Sequence, residues 1–129
     1  MTRAHAAVVL ATAILGCAEP EPVPTVAGQE RPTKSDWLRV AQRSLKHDNC
    51  SAGGPFRRCS DTTREECEAT LTAALRPCVA SMRERLPARI SAGEEDERLR
   101  VELTGCVWHH AAFALGPARV DMVCLMTPR

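Results

Sequence analysis

Beyond residue 34 the apolar residues recur three to four positions apart, the spacing of a helix, and no stretch alternates with the period of two that is typical of strands. The stretch 35–48 predicts a first helix, for which Thr33 or Ser35 is available as the N-cap. Its apolar face consists of Trp37, Val40, Ala41 and Leu45. A glycine pair and a proline between Cys50 and Cys59 then predict a loop.

A second helix is expected to begin at Thr62, because Glu65 three residues later completes a capping box. Six residues at helical spacing form one face of it: Cys67, Leu71, Ala74, Leu75, Cys78 and Met82. Pro77 lacks a backbone N–H and clashes with the preceding turn, so we expect a kink or break near Arg76.

The third helix has the clearest limits, since Ser91 and Glu94 form another capping box and Gly116–Pro117 ends the pattern. The acidic run 94–97 complements the helix dipole at its start. Two apolar stripes predict a helix that is covered on two sides: Leu99, Leu103, Cys106, His110 and Phe113 in one, and Val101, Trp108, Ala112 and Leu115 in the other. A short last helix carries Val120, Val123 and Cys124. The predicted fold class is all-α, a bundle of three to four helices over residues 35–129.

A bundle of this size with two Trp, two Phe and no Tyr buries little apolar area, so another source of stability is expected. Six cysteines lie in the helical domain and are predicted to form disulfides: Cys50, Cys59, Cys67, Cys78, Cys106 and Cys124. Their pairing stays open among fifteen arrangements.

Helix geometry limits these arrangements. Cys67 and Cys78 would lie about 16 Å apart along one continuous helix, too far for a direct bond unless the break at Pro77 is severe. Cys106 could reach either of them, and Cys124 could reach Cys106 if the last helix folds back.

The charges nearly balance, with 17 Lys and Arg against 16 Asp and Glu. A nucleic-acid-binding domain normally has a surplus of basic residues, so no nucleic-acid partner is predicted.

The first seventeen residues differ from the rest of the chain. Arg3 precedes ten apolar or small residues at 6–15, a run too short to cross a bilayer but typical of a secretory signal. The sequence ILGC at 14–17 follows, and it resembles the lipobox of bacterial prolipoproteins, with an aliphatic residue, a small residue and then cysteine. The resemblance implies a signal peptide at 1–16, an acylated Cys17 and a membrane anchor in the bacterial cell envelope.

Ala18 follows the cysteine where an Asp would favour inner-membrane retention in that family, so the outer membrane is expected. Cleavage after Ala18 by a general signal peptidase is the alternative and would give a secreted or periplasmic protein. Either route removes Cys17 from disulfide chemistry and leaves an even number of cysteines.

Residues 17–34 contain four prolines, three glutamates and no apolar periodicity. Such a segment is predicted to be a disordered tether that holds the domain off the membrane. The expected partners are therefore the membrane, through the lipid, and an unknown envelope protein or polymer.

The sequence CVWHH at 106–110 offers candidate metal ligands, because Cys106, His109 and His110 lie within one helical turn or so of each other. His47 before Cys50 is a further candidate. The exported compartment oxidises thiols and no second close cysteine pair is present, so disulfides are favoured over a metal and no cofactor is predicted.

No catalytic residue set is predicted either. The function expected is a non-catalytic binding module, and the alternative is a metal carrier or thiol-redox protein that uses the 106–110 cluster.

Overall fold

Three long helices and two short ones make up residues 30–127, the part of the chain that the computed structural model describes. They are α1 (Lys34–Cys50), α2 (Pro55–Arg58), α3 (Arg64–Arg85), α4 (Glu94–Leu115) and α5 (Met122–Met126). Three disulfides connect them. The predicted all-α, disulfide-linked bundle is therefore confirmed. The predicted signal peptide, Cys17 and the tether as far as residue 29 lie outside the described residues.

The first helix begins at a local cap, because the Thr33 hydroxyl accepts a hydrogen bond from the Asp36 N–H at 3.2 Å. The buried face of this helix contains Leu38 and not the predicted Val40, which is exposed. The residues just before α1 are also held in place: the Ile90 N–H donates to Pro32 O at 3.1 Å, and the Lys34 N–H donates to Ala88 O at 3.2 Å. Pro32 and Lys34, which lie before the predicted boundary at residue 35, are thus hydrogen-bonded to the rest of the domain.

The predicted break in the second long helix is wrong, since α3 continues through Pro77 from Arg64 to Arg85. A proline inside a helix costs about 3 kcal/mol. Pro77 is exposed, whereas the residues on either side of it, Leu75, Cys78 and Val79, are buried in the core. Their packing outweighs the local penalty. The cap is Thr63 rather than Thr62, with its hydroxyl accepting from the Glu66 N–H at 3.1 Å.

The predicted start and coverage of α4 both need correction. Its N-cap is Gly93, at φ +83°, and the Ser91 N–H instead donates to the Glu95 carboxylate at 2.6 Å. Only one face is buried, formed by Leu99, Leu103, Val107, Ala111 and Ala112. Neither predicted stripe is covered along its whole length, since Phe113 of the first is 86% exposed and Val101 of the second is 68% exposed. Within the second stripe, Ala112 is buried and Trp108 and Leu115 pack partly against the core. This small bundle has too few elements to cover α4 twice, because α4 packs mainly on α3.

The loop predicted between Cys50 and Cys59 contains α2, and its Phe56 is fully buried. Gly54 begins this turn where no other residue fits, since a Cβ there would lie 2.4 Å from Asn49 O. The loop is thereby pressed against the end of α1 and contributes to the core.

The disulfides join Cys50 to Cys67, Cys78 to Cys106 and Cys59 to Cys124, with Cα atoms 5.7, 5.9 and 5.5 Å apart. Cys67 and Cys78 have different partners, as their separation along α3 requires. Cys124 does not reach Cys106, because the C-terminal segment pairs with the residues after α2. The Asp121 N–H donates to Cys59 O at 2.8 Å, and the Asp61 N–H donates to Arg119 O at 2.9 Å.

We predict that replacing both Cys59 and Cys124 by alanine lowers the free energy of unfolding by about 4 kcal/mol, because this bond closes a loop of 65 residues. Helix α5 has five residues and buries only Leu125, so it depends on the bond for its position. Urea unfolding measures the loss, and hydrogen exchange should show the α5 amides exchanging early while those of α3 stay protected. The control Val123→Ala, at an exposed neighbour, should change little. A loss below about 1 kcal/mol would contradict this role of the bond.

Candidate binding and thiol site

The predicted metal candidates do not all come together. His47 is exposed in the last turn of α1, and His109 and His110 are exposed on α4. The predicted place of His110 in a covered stripe of α4 is therefore wrong, because the α3 side chains opposite it are small and leave an open groove. The two imidazole rings meet edge to face with centroids 5.9 Å apart.

His110 lies beside the disulfide between Cys78 and Cys106. The two sulfur atoms and a ring nitrogen of His110 all lie within 4.8 Å of one another. Cys106 and His110 are four residues apart on α4, which places them on one face of the helix, and Cys78 comes from α3. The thiolate is the form of cysteine that binds metals, and a disulfide has none, so the oxidised pair is not a metal site. Reduction of the bond would release two thiols next to an imidazole.

An open groove between α3 and α4 adjoins this cluster and has a volume of about 520 Å³. Small side chains of α3, including Ala69, Ala73 and Ala74, form one wall with Pro77. His110 and Phe113 form part of the opposite wall on α4. Phe113 is the most exposed large apolar side chain among the residues described, at 86%. The apolar spacing predicts Phe113 in the core, and that prediction is wrong. Phe113 lies two turns after Cys106 on the same side of α4, but the alanines of α3 opposite it are too short to cover the ring.

A polar cluster joins the other end of α4 to α1. The Trp37 indole N–H donates to the Asp96 carboxylate, and the Arg100 guanidinium binds the same carboxylate at 3.1 Å and donates to the Ser44 hydroxyl at 3.3 Å. Arg100 also lies over the Trp37 ring, 5.8 Å from its centroid. Partial burial opposes ionisation of Asp96, but the hydrogen bonds from Trp37 and Arg100 outweigh it, so the pKa of Asp96 lies below its ordinary value of 3.8. Every group here has a partner, and the cluster therefore connects helices rather than forming a site.

A second interhelical contact of the same kind lies near the end of α1. The Trp108 indole N–H donates to the Asn49 amide oxygen at 2.9 Å, and the Asn49 amide donates to Leu45 O at 2.9 Å. Asn49 is the one buried polar residue among those described, and both hydrogen bonds explain how burial is tolerated.

Ser51 lies in the loop just before the glycine pair, and it has no acid–base partner among residues 30–127 that could make it a nucleophile. Its hydroxyl donates to Asp48 O at 3.2 Å, which closes the end of α1. This contact is structural.

Comparison of the chain with protein-family models, with curated proteins and with solved structures finds no significant match. Within residues 30–127, no helix combines the length and the apolar character that crossing a bilayer requires.

We predict that Asp96→Asn lowers the free energy of unfolding by about 1 kcal/mol at pH 7, because the hydrogen bonds to Trp37 and Arg100 lose their charged acceptor. The folded state depresses the pKa of Asp96, so its stabilisation is present above the unfolded value and is lost as the pH falls through the folded one. Urea unfolding of both proteins between pH 7 and pH 2 should therefore show curves that differ at neutral pH and converge in acid.

Asp61→Asn is the matched control, because the Asp61 carboxylate is exposed and only its backbone is held in place. Its curve should follow that of the wild type throughout. A constant difference between Asp96→Asn and the wild type down to the lowest pH would contradict the assigned role of the charge.

Proposed function

We propose that this chain is a lipid-anchored protein of the bacterial cell envelope, most simply of the outer membrane, and that it binds an envelope partner without catalysis. The observation that carries the binding role is the nearly complete exposure of Phe113 beside the groove between α3 and α4. The partner is an envelope protein, since an exposed aromatic ring next to small apolar side chains suits an apolar protein surface more than a polar polymer.

The energy of such a contact is substantial. Burying a phenylalanine side chain gives about 1.5 to 3 kcal/mol, and interface energy concentrates in a few anchoring side chains of this kind. The disulfide between Cys78 and Cys106 ties the two walls of the groove together at its edge. A partner therefore meets a surface whose shape is set before binding, which lowers the entropy cost of association.

The proposed location rests on two features of different kinds. The sequence ILGC at 14–17 resembles a lipobox and would make Cys17 the acylated first residue. Three disulfides in a domain of this size are typical of exported proteins, since the cytosol keeps thiols reduced. An unlipidated, secreted or periplasmic form is the alternative location.

We predict that Phe113→Ser abolishes binding of the partner with little effect on the fold. Cells that express the wild-type chain are treated with a cleavable crosslinker, and the products are identified by mass. The species that depend on this protein should fall at least about tenfold in Phe113→Ser, the loss expected for an anchoring aromatic side chain. The unfolding midpoint should stay unchanged because the ring contributes little to the core.

Val101→Ser is the matched control, since Val101 is also an exposed apolar residue of α4 and does not line the groove. Its crosslinked species should match those of the wild type. Equal crosslinking by Phe113→Ser and the wild type would refute the proposed binding surface.

A second function is favoured by the approach of His110 to the two sulfur atoms. If a dithiol reductant transfers two electrons and two protons to the bond between Cys78 and Cys106, the reductant becomes a disulfide and the protein gains two thiols. These thiols, as thiolates, and the His110 imidazole form a three-ligand set for a soft or borderline cation such as Zn²⁺. On this alternative the protein is a metal carrier or a thiol-redox protein.

This alternative predicts free thiols at Cys78 and Cys106 in protein taken from its own compartment. It also predicts that the reduced protein binds Zn²⁺ at least about tenfold more weakly after His110→Ala, because a ligand is lost. Competition with a chromogenic chelator measures the affinity, and His109→Ala is the control because His109 lies outside the three-residue cluster. Equal affinities in the wild type and His110→Ala would exclude this site.

A further inference from the structure

A second groove, between α1 and α3, combines an apolar floor with a basic rim and has a volume of about 560 Å³. Leu75 and Val79 of α3 are buried at its base. Lys46 from α1 lines it together with Arg76 and Arg83 from α3, and Glu84 is the one acidic residue among those that line it. The groove therefore carries a surplus of positive charge in a chain whose total charge is nearly balanced.

The basic residues of this groove have no carboxylate partner within residues 30–127, which is also true of Arg31, Arg43, Arg57, Arg58 and Arg89. The ion pairs within this range involve six arginines that lie outside the groove: Arg39, Arg64, Arg85, Arg98, Arg100 and Arg119. Lys46 is half-buried, whereas Arg76 and Arg83 are exposed. All three are thus available to an anion from outside the domain.

The groove also lies near the point where the N-terminal segment joins the domain. The Lys34 ammonium at the start of α1 donates to Arg83 O at 3.4 Å, and the Arg89 guanidinium donates to Arg31 O at 2.9 Å. Residues 17–29 separate Cys17 from the described chain, and an extended chain of that length spans at most about 45 Å. A lipid on Cys17 would keep the basic groove within reach of the membrane surface.

We propose that this basic groove docks on the phosphate groups of anionic phospholipids in the membrane that holds the anchor, an inference that rests on the proposed lipidation of Cys17. Guanidinium groups bind phosphate oxygens through paired hydrogen bonds, and a lysine adds a point charge. Tethering makes the contact intramolecular in effect, so a weak attraction for each headgroup is enough to orient the domain. Docking through α1 and α3 would leave the groove that contains Phe113, between α3 and α4, for the envelope partner.

The chain contains only two lysines, which allows a direct test by lysine footprinting. The full-length protein, purified from the membrane fraction of its own cells, is reconstituted into vesicles of phosphatidylcholine alone, or of phosphatidylcholine with phosphatidylglycerol, and the rate of Lys46 acetylation is measured by peptide mass. We expect the rate to fall at least about threefold on the anionic vesicles, as occupancy of the groove by headgroups requires. Adding salt to about 1 M, where the Debye length is about 3 Å, should restore the rate.

The variant Arg76→Glu with Arg83→Glu should abolish the protection of Lys46. The control Arg57→Glu with Arg58→Glu makes the same change in net charge on α2, outside the groove, and should keep the protection. Equal Lys46 rates on the two kinds of vesicle would overturn the proposal, and so would protection that survives Arg76→Glu with Arg83→Glu. Protection by inorganic phosphate on neutral vesicles, without protection by phosphatidylglycerol, would also overturn it, because the ligand would then be a free anion.

Flotation of the same samples separates this proposal from the proposed lipid anchor. An acylated protein floats with neutral vesicles whether or not the groove binds headgroups. A protein that floats only with anionic vesicles, with Lys46 protected there, would support the groove and contradict the anchor. A protein that floats with both kinds of vesicle at equal Lys46 rates would support the anchor and contradict the groove.

Discussion

Cys50, Cys59, Cys67 and Cys78 are buried, and Cys106 and Cys124 pack against them, so all three disulfides are part of the core. Two of these bonds connect the long helices. They join α3 to α1 on one side and to α4 on the other. The remaining core consists largely of leucine, alanine and valine, with Trp37 and Phe56 as its only buried aromatic residues among those described. A core of this composition buries limited area, and the three bonds add stability by restricting the unfolded chain.

The same constraint decides what the surface offers. The bond between Cys78 and Cys106 turns the face of α4 that carries His110 and Phe113 toward α3, where the small side chains opposite them leave both at the edge of a groove. Cys50 at the end of α1 is joined to Cys67 near the start of α3. The second groove, which has basic sides, runs between these two helices. The proposed partner surface and the proposed membrane surface both follow from how two of these bonds arrange the three long helices.

Helix positions could be predicted from periodicity, because an amphipathic pattern depends on residues close together in the chain. Pro77 shows the limit of local rules, since the long-range packing of Leu75 and Cys78 overrides its tendency to break a helix. The partner of Cys124 could not be predicted, because it depends on backbone hydrogen bonds between residues far apart in the chain, such as the bond from the Asp121 N–H to Cys59 O. Apolar spacing predicts Phe113 in the core, because spacing alone does not show how many faces of a helix a small bundle can cover.

The intact mass of the protein from its own membrane fraction, with thiol alkylation before and after reduction, tests the anchored and disulfide-linked structure most directly. We predict a chain that begins at Cys17 and carries acyl mass. We also predict no alkylation of the native protein and six alkyl groups after reduction, one for each cysteine of the three disulfides. Thiols that react before reduction would contradict the disulfide-linked core, and an unacylated chain would contradict the anchor.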